Sequence, residues 1–286
     1  MNFLIMHYAS GWAFYSGFLL IITGTAMSWL PYKLLRLYVA RLFLLVGLIN
    51  VILSSTPFSM LLLLLLILLI VMLLLISENK KLKRRNKIIT SALIVLLSLY
   101  AVLADLPFLF SGEPVKMATD NVFVIADSIS AGIGFKGEKI WSEILVSDFK
   151  LNAINKAVGG GTLASSINTL RKVNVGKNDL LILEIGGNDI LAGAAAGKFY
   201  AELDRLLADA TAKCDRVIML ELPMPPFCGA FTGCQRELCS KYRVFLIPKR
   251  YFSWVITGSE STVDGLHLSN IGQKKMAEVI SRHIIK

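Results

Sequence analysis

Up to about residue 110 the chain is a succession of long apolar stretches; beyond about residue 120 the apolar runs are short and alternate with amphipathic segments. Four of the early stretches approach the roughly 20 residues needed to cross a hydrocarbon core: Gly11 to Leu30, Leu37 to Ser54, Phe58 to Ser77 and Ile88 to Phe110. The third, with its run from Leu61 to Ile76, is the plainest. The second is the shortest and carries Arg41 near its start, where a long side chain can snorkel to the interface. The pattern therefore predicts a transmembrane region over 1–110, a linker over 111–120 containing Gly112 and Pro114, and one globular domain over 121–286. That last part is an ordinary domain size.

Within the later part, Val122 to Ala126, Asn152 to Val158, Leu180 to Ile185, Val217 to Leu222 and Val244 to Ile247 read as strands. Helices are expected at about Lys139 to Phe149, Leu163 to Arg171, Lys198 to Lys213, Gln235 to Tyr242 and Asn270 to Ile285. Strands that alternate with helices pair in parallel and give a three-layer α/β/α sandwich. Sites in such folds form at the carboxyl ends of the strands. The sequences at those ends are Ala126-Asp127-Ser128, Gly159-Gly160-Gly161-Thr162 and Gly186-Gly187-Asn188-Asp189, with Asp264-Gly265-Leu266-His267 just before the last helix.

Composition agrees with two units, since 55% of the chain is hydrophobic and 17% charged, too apolar for a soluble protein of this length. The net charge of +10 changes the picture only through its location. Before residue 111 lie Lys33, Arg36, Arg41, Lys80, Lys81, Lys83, Arg84, Arg85 and Lys87, opposed by Glu78 and Asp105. From residue 111 onward 21 basic and 18 acidic residues leave +3, which calls for no polyanion, so no nucleic-acid partner is expected. The early basic residues fall between spans one and two and between spans three and four. Short basic loops stay cytoplasmic, so both ends of the region and everything after Phe110 are expected outside. A cleaved signal peptide is not expected, because Met1 to Gly11 lacks a basic region and further spans follow. Trp12 and Trp29 sit near opposite ends of the first span, as interfacial aromatics do.

A serine nucleophile needs a base for its proton and donors for the oxyanion that follows attack. Three histidines are available. His7 lies in the N-terminal tail and His283 near the end of a helix, whereas His267 lies in a loop at the expected face, with Asp264 three residues earlier. Such a carboxylate can bind the ring N–H and support the imidazolium that forms in catalysis. Ser128, at a strand end, reads as a nucleophile or as a helix cap, a role open to Asp127 as well. Gly160 reads as an oxyanion donor through its N–H or as a plain glycine turn. Asn188 reads as a side-chain donor or as a Gly-Asn turn. What favours chemistry is that all four signals recur at successive ends on one face.

With these blocks in hand, the domain resembles the SGNH/GDSL hydrolase family, in particular its bacterial thioesterase and lysophospholipase-like branch. Ala126 to Gly132 resembles the nucleophile block, Asn155 through Gly160 to Thr162 the glycine block, Gly186 to Asp189 the asparagine block, and Asp264 to His267 the acid and base block. Glycine is usual in the family where this chain has Ala126. The resemblance implies a flavodoxin-like fold, Ser128 as nucleophile, His267 as base, Asp264 as its orienter, and an oxyanion hole from the Ser128 and Gly160 N–H groups and the Asn188 side chain. It implies no cofactor and no metal, and its bacterial setting makes the inner membrane, with the hydrolase on the periplasmic side, the expected location. The apolar spans lie outside it.

All four cysteines fall between Cys214 and Cys239, without histidines or zinc-knuckle spacing. In an oxidising compartment a short-range disulfide is expected among Cys228, Cys234 and Cys239, with Cys214 a buried thiol. The segment Pro223 to Gly233 reads as a loop that either covers an acyl site or is plain surface. The expected function is membrane-anchored hydrolysis of acyl esters, those of membrane lipids first. The alternative is removal or transfer of O-acetyl groups on envelope polysaccharide, and a non-catalytic scaffold is a third class.

Overall fold

The structure, a computed structural model, describes residues 3–32, 38–78, 84–119 and 121–285. The chain divides into two compact units. One comprises Met1–Ser10, Phe110–Met224 and Ala230–Lys286; the other comprises Gly11–Leu109 and Pro225–Gly229. The basic residues Lys33, Arg36, Lys80, Lys81 and Lys83, on which the orientation rests, lie outside the described residues.

The chain opens with α1 (Phe3–Ala9). The second unit then contains α2 (Trp12–Met27), α3 (Ala40–Leu53), α4 (Met60–Glu78) and α5 (Arg84–Asp105), the last running into a 3-10 turn over Leu106–Phe108. Among the described residues two helices are long and apolar enough to cross a membrane, or three if α1 and α2 make one broken span. The first expected span is a helix of 16 residues and the second one of 14, both short of the roughly 20 a straight crossing takes. α2 and α3 touch backbone to backbone: a β-carbon on Gly47 would lie 2.7 Å from the Gly17 carbonyl oxygen. Small residues at such crossings let apolar helices associate through van der Waals contact. Phe14, Phe18, Leu44, Leu66, Leu73 and Ile94 are buried in this unit's core.

In the other unit β1 (Val115–Lys116) precedes a regular alternation: β2 (Asn121–Ala126), α6 (Ser128–Ala131), α7 (Trp141–Phe149), β3 (Asn152–Asn155), α8 (Leu163–Lys172), β4 (Leu180–Glu184), α9 (Gly187–Leu191), α10 (Ala196–Lys213), β5 (Arg216–Leu220), α11 (Gly229–Tyr242), β6 (Phe245–Ile247), α12 (Lys249–Thr257), α13 (Asn270–Arg282) and β7 (Ile284–Ile285). The main sheet is parallel throughout, in the order β3-β2-β4-β5-β6, so the chain reverses its direction of travel between β2 and β4. That is the switch point where open α/β sheets place their sites. Successive strand residues face opposite layers. Phe123, Ile125, Leu181, Leu183, Val217 and Met219 share one core with Leu163, Ile167, Phe199, Leu203 and Leu206 of α8 and α10. Val124, Leu180 and Ile182 point the other way, and Trp141, Leu145, Met276 and Ile280 are buried on α7 and α13.

Several elements depart from the pattern reading. The expected last helix stops at Arg282, because Ile284–Ile285 leaves it to pair in parallel with Val115–Lys116 of the expected linker. α11 starts at Gly229 rather than Gln235, since no proline follows Pro226 to break it. α12, capped at Pro248, was not expected, although Phe252 and Val255 give it a buried stripe. The four cysteines are free, which corrects the expected disulfide. Cys239 is committed to the core with its sulfur 3.7 Å from that of Met219, and Cys234, on the same helix, contacts the Ala196 carbonyl oxygen.

Candidate active site

The site is built on four chain reversals at the carboxyl end of the sheet. β2 ends at Ala126, whose φ is not positive, so its methyl is accommodated where the family usually has glycine. Asp127 is the N-cap of α6, its Oδ1 accepting from the Ile129 N–H at 3.0 Å, and Ser128 is the first helical residue. The cap and the serine are thus different residues, and the Ser128 hydroxyl is left for another partner. That partner is His267, whose Nε2 lies 3.0 Å from Ser128 Oγ.

The His267 loop is folded by Asp264. One Asp264 oxygen accepts from the Leu266 and His267 N–H groups at 2.9 and 2.8 Å, and the other lies 2.6 Å from His267 Nδ1. Three donors on one carboxylate, the imidazole foremost, hold its pKa well below the usual carboxylate range. With Nδ1–H donating to Asp264, Nε2 is left to accept the Ser128 hydroxyl. Gly265 takes a positive φ of 91°, which closes the turn between the two residues. Ser128 and His267 are half-buried and Asp264 is exposed.

After β3 the chain turns back through Gly160 at φ 69°, and Gly161 packs too close to the Val158 and Ala126 carbonyls, 2.9 and 3.3 Å from an added β-carbon, to carry a side chain. Asn155 fastens this turn to the nucleophile helix, its Nδ2 donating to the Ser130 carbonyl at 2.8 Å. Asn188, in α9, donates through Nδ2 to the Gly161 carbonyl at 2.9 Å and reaches Asp127 Oδ2 at 3.4 Å. Next to it Asp189 is buried and accepts from the Leu163 N–H at 3.0 Å, so the asparagine block also ties down α8. Burial raises the pKa of both Asp127 and Asp189. Neither the Ser128 nor the Gly160 N–H has a partner among the described residues. The arrangement can pass a proton from a hydroxyl to an imidazole and offer N–H donors to an anion formed beside it.

The five expected positions, Ser128, Gly160, Asn188, Asp264 and His267, therefore belong to one unit and one face, with Asp127 as the cap beside Ser128. His7, in α1, meets Tyr8 edge to face, and His283 is buried, bonded through Nδ1 to the Val279 carbonyl and edge to face with Tyr251. Burial lowers the His283 pKa. The pattern did not single out Glu184, Ser130 or Trp141, which are linked behind the nucleophile: Ser130 Oγ donates to Glu184 Oε2 at 2.8 Å and accepts from Trp141 Nε1 at 2.9 Å. A lone acid ending the otherwise apolar run Leu180 to Leu183 was the available signal.

Comparison with known proteins identifies the family and the fold. The chain is 26% identical over 196 residues to an arylesterase from Vibrio mimicus, spanning 64% of this chain and 98% of that protein. It is 26% identical over 176 residues to esterase TesA from Pseudomonas aeruginosa, spanning 57% and 87%. It is also 23% identical over 175 residues to thioesterase 1/protease 1/lysophospholipase L1 of Escherichia coli, spanning 58% and 84%. The crystal structure of the psychrotrophic esterase EstA from Pseudoalteromonas has the same fold, with a TM-score of 0.50 at 18% identity over 57% of this chain and 96% of that one. The GDSL-like lipase/acylhydrolase family model matches residues 127–275, from the Asp127 cap into α13 and just over half of the chain, which therefore belongs to that family.

Proposed function

We propose that the chain is a membrane-anchored serine ester hydrolase that acts outside the cytoplasm on acyl esters, those of membrane lipids foremost. The observation that carries this reading is the run Ser128 Oγ, His267 Nε2, His267 Nδ1 and Asp264, with contacts of 3.0 and 2.6 Å. In this reading His267 takes the Ser128 proton as Oγ attacks the acyl carbon, and Asp264 supports the imidazolium. The Ser128 and Gly160 N–H groups and Asn188 Nδ2 hold the oxyanion. His267 then returns the proton to the departing alcohol, and water releases the acyl group by the same steps in reverse.

The side chains flanking the site residues support an acyl substrate. Ile133, Val158, Leu191, Val263 and Leu266, each within a few residues of a site residue, are 40–73% exposed. Exposed apolar side chains flanking the site residues suit an acyl chain better than a sugar. The relatives named arylesterase, esterase and thioesterase/lysophospholipase support ester or thioester cleavage. Anchoring is supported by the apolar helices of the second unit, and the outside placement by the basic loops.

The test is hydrolysis by the purified full chain of phospholipids, lysophospholipids, acyl thioesters, soluble aryl esters and acetylated glycans, alongside Ser128→Ala. Cleavage of long-chain acyl substrates, abolished in Ser128→Ala together with labelling by a fluorophosphonate probe, is the expected result. Preference for acetylated glycan would move the substrate to envelope polysaccharide. Full ester hydrolysis by folded Ser128→Ala would end the reading.

A further inference from the structure

Glu184 is fully buried at the end of β4, on the sheet face opposite Leu181 and Leu183. An ionised carboxylate there would be taken out of water, a cost met only by a counter-charge or a full set of donors. Neither is present. Oε2 accepts one hydrogen bond, from the Ser130 hydroxyl at 2.8 Å, and Oε1 has no partner among the described residues; the nearby Asp127 backbone N–H also favours the charge, but less than burial opposes it. Its side-chain partner, Ser130 of α6, is neutral and in turn accepts from Trp141 Nε1 of α7 at 2.9 Å, while the Trp141 backbone N–H donates to Gln273 Oε1 of α13 at 2.9 Å. The charged group that acts on Glu184 is Asp127, which is also buried and of the same sign. Asp127 in turn feels His267, which stabilises its charge, and Asp189, which opposes it.

The two acids thus share one desolvated space behind the nucleophile. Asp127 has the Ile129 N–H at 3.0 Å and the Asn188 amide at 3.4 Å, so it is the better served as an anion. Glu184 is left as the acid that keeps its proton. Its other link is mechanical. Ser130 is in the first turn of α6, two residues from Ser128, and its carbonyl also takes Asn155 Nδ2, so whatever fixes Ser130 fixes the nucleophile and the glycine turn together.

We propose that Glu184 is a positioning residue that works as a neutral carboxylic acid, holding α6 through Ser130 and keeping a second negative charge away from the oxyanion formed at Ser128. The inference rests on the serine-hydrolase reading for its effect on turnover, but not for the protonation state itself. Burial and the neighbouring Asp127 both push the Glu184 pKa upward, in the direction the geometry requires.

The experiment compares wild type, Glu184→Gln, Glu184→Ala and Ser130→Ala as full-length protein. Difference infrared spectra at neutral pH should show a protonated-carboxyl C=O band in wild type that is missing from Glu184→Gln. Gln reproduces the shape and neutrality of the acid, so Glu184→Gln should keep kcat within about threefold, a change of well under 1 kcal/mol in the barrier. Glu184→Ala and Ser130→Ala should lower kcat at least tenfold with KM little changed. On the alkaline side, kcat of wild type should fall at a pH where Glu184→Gln still holds.

Stability gives a readout independent of activity. A folded-state pKa above the unfolded value means the native state holds the proton more tightly, so this contribution is complete below the ordinary glutamate pKa and is lost as pH rises through the raised one. The melting temperature of wild type should therefore drop with pH relative to Glu184→Gln. Absence of the infrared band, or a Glu184→Gln protein as impaired as Glu184→Ala, overturns the inference while fluorophosphonate labelling of Ser128 stays intact. Loss of labelling in wild type would instead count against the serine-hydrolase reading.

Discussion

Asn188→Ala isolates the oxyanion donor from the proton-transfer pair. In the resting site its Nδ2 gives one hydrogen to the Gly161 carbonyl at 2.9 Å, and its reach to Asp127 is a long 3.4 Å, so the second hydrogen is only weakly engaged. A preorganised donor of this kind contributes about 2.7–4 kcal/mol in the transition state, so kcat should fall by about 10²- to 10³-fold. KM should stay close to that of wild type, because the bond strengthens only as the oxyanion forms. The lost bond to Gly161 should cost about 1 kcal/mol of stability, which a thermal melt resolves from the kinetic effect. Asn188→Asp is the sharper variant. It keeps the shape but sets a second acid 3.4 Å from Asp127, a repulsion of about 5 kcal/mol at an effective dielectric of about 20 before either group protonates. It should be less active than Asn188→Ala at neutral pH and recover as pH falls. Steady-state kinetics on a soluble aryl ester with both variants is the assay. An Asn188→Ala enzyme within about threefold of wild-type kcat, or an Asn188→Asp enzyme more active than it at neutral pH, would refute the assignment.

Two further tests address the glycine turn and the topology. Gly161→Ala should lower turnover at least tenfold, because its β-carbon meets the Val158 and Ala126 carbonyls and displaces the acceptor that orients Asn188; Gly160→Ala has open space and should lose only about 1–2 kcal/mol of stability to its positive φ, measured by chemical denaturation. A reporter active only outside the cytoplasm, fused after Lys286, should be active, and a working cytoplasmic reporter at that point would reverse the orientation.

The site was legible because its parts are local in sequence. Asp264 and His267 lie in one turn, and Ser128, Gly160 and Asn188 each follow directly on a strand or its return, so periodicity and turn chemistry find them one at a time. What escaped the pattern is non-local. Glu184 reads as a flaw in a strand until Ser130, 54 residues away in the chain, is seen to bond it and Trp141 to bond Ser130. The pairing of Val115–Lys116 with Ile284–Ile285 cannot be read from two residues at either end. The cysteines misled because closeness in sequence does not bring their sulfurs together: Cys228 precedes α11, while Cys234 and Cys239 pack separately from α11 against the core.

The hydrolase unit is discontinuous in the sequence, and this limits how it can be excised. Its first piece, Met1–Ser10, carries α1, which packs on α12 with the Met6 sulfur 3.4 Å from the Thr257 hydroxyl, and it is separated from Phe110 by the 99 residues Gly11–Leu109 of the other unit. A gene fragment beginning at Asn121 would lose both α1 and β1, leave β7 without its partner, and strip Phe110 from the Arg250 guanidinium. A faithful soluble version would have to begin at or before Phe110 and supply α1 separately, as an added peptide or by permuting the gene so that residues 3–10 follow Lys286.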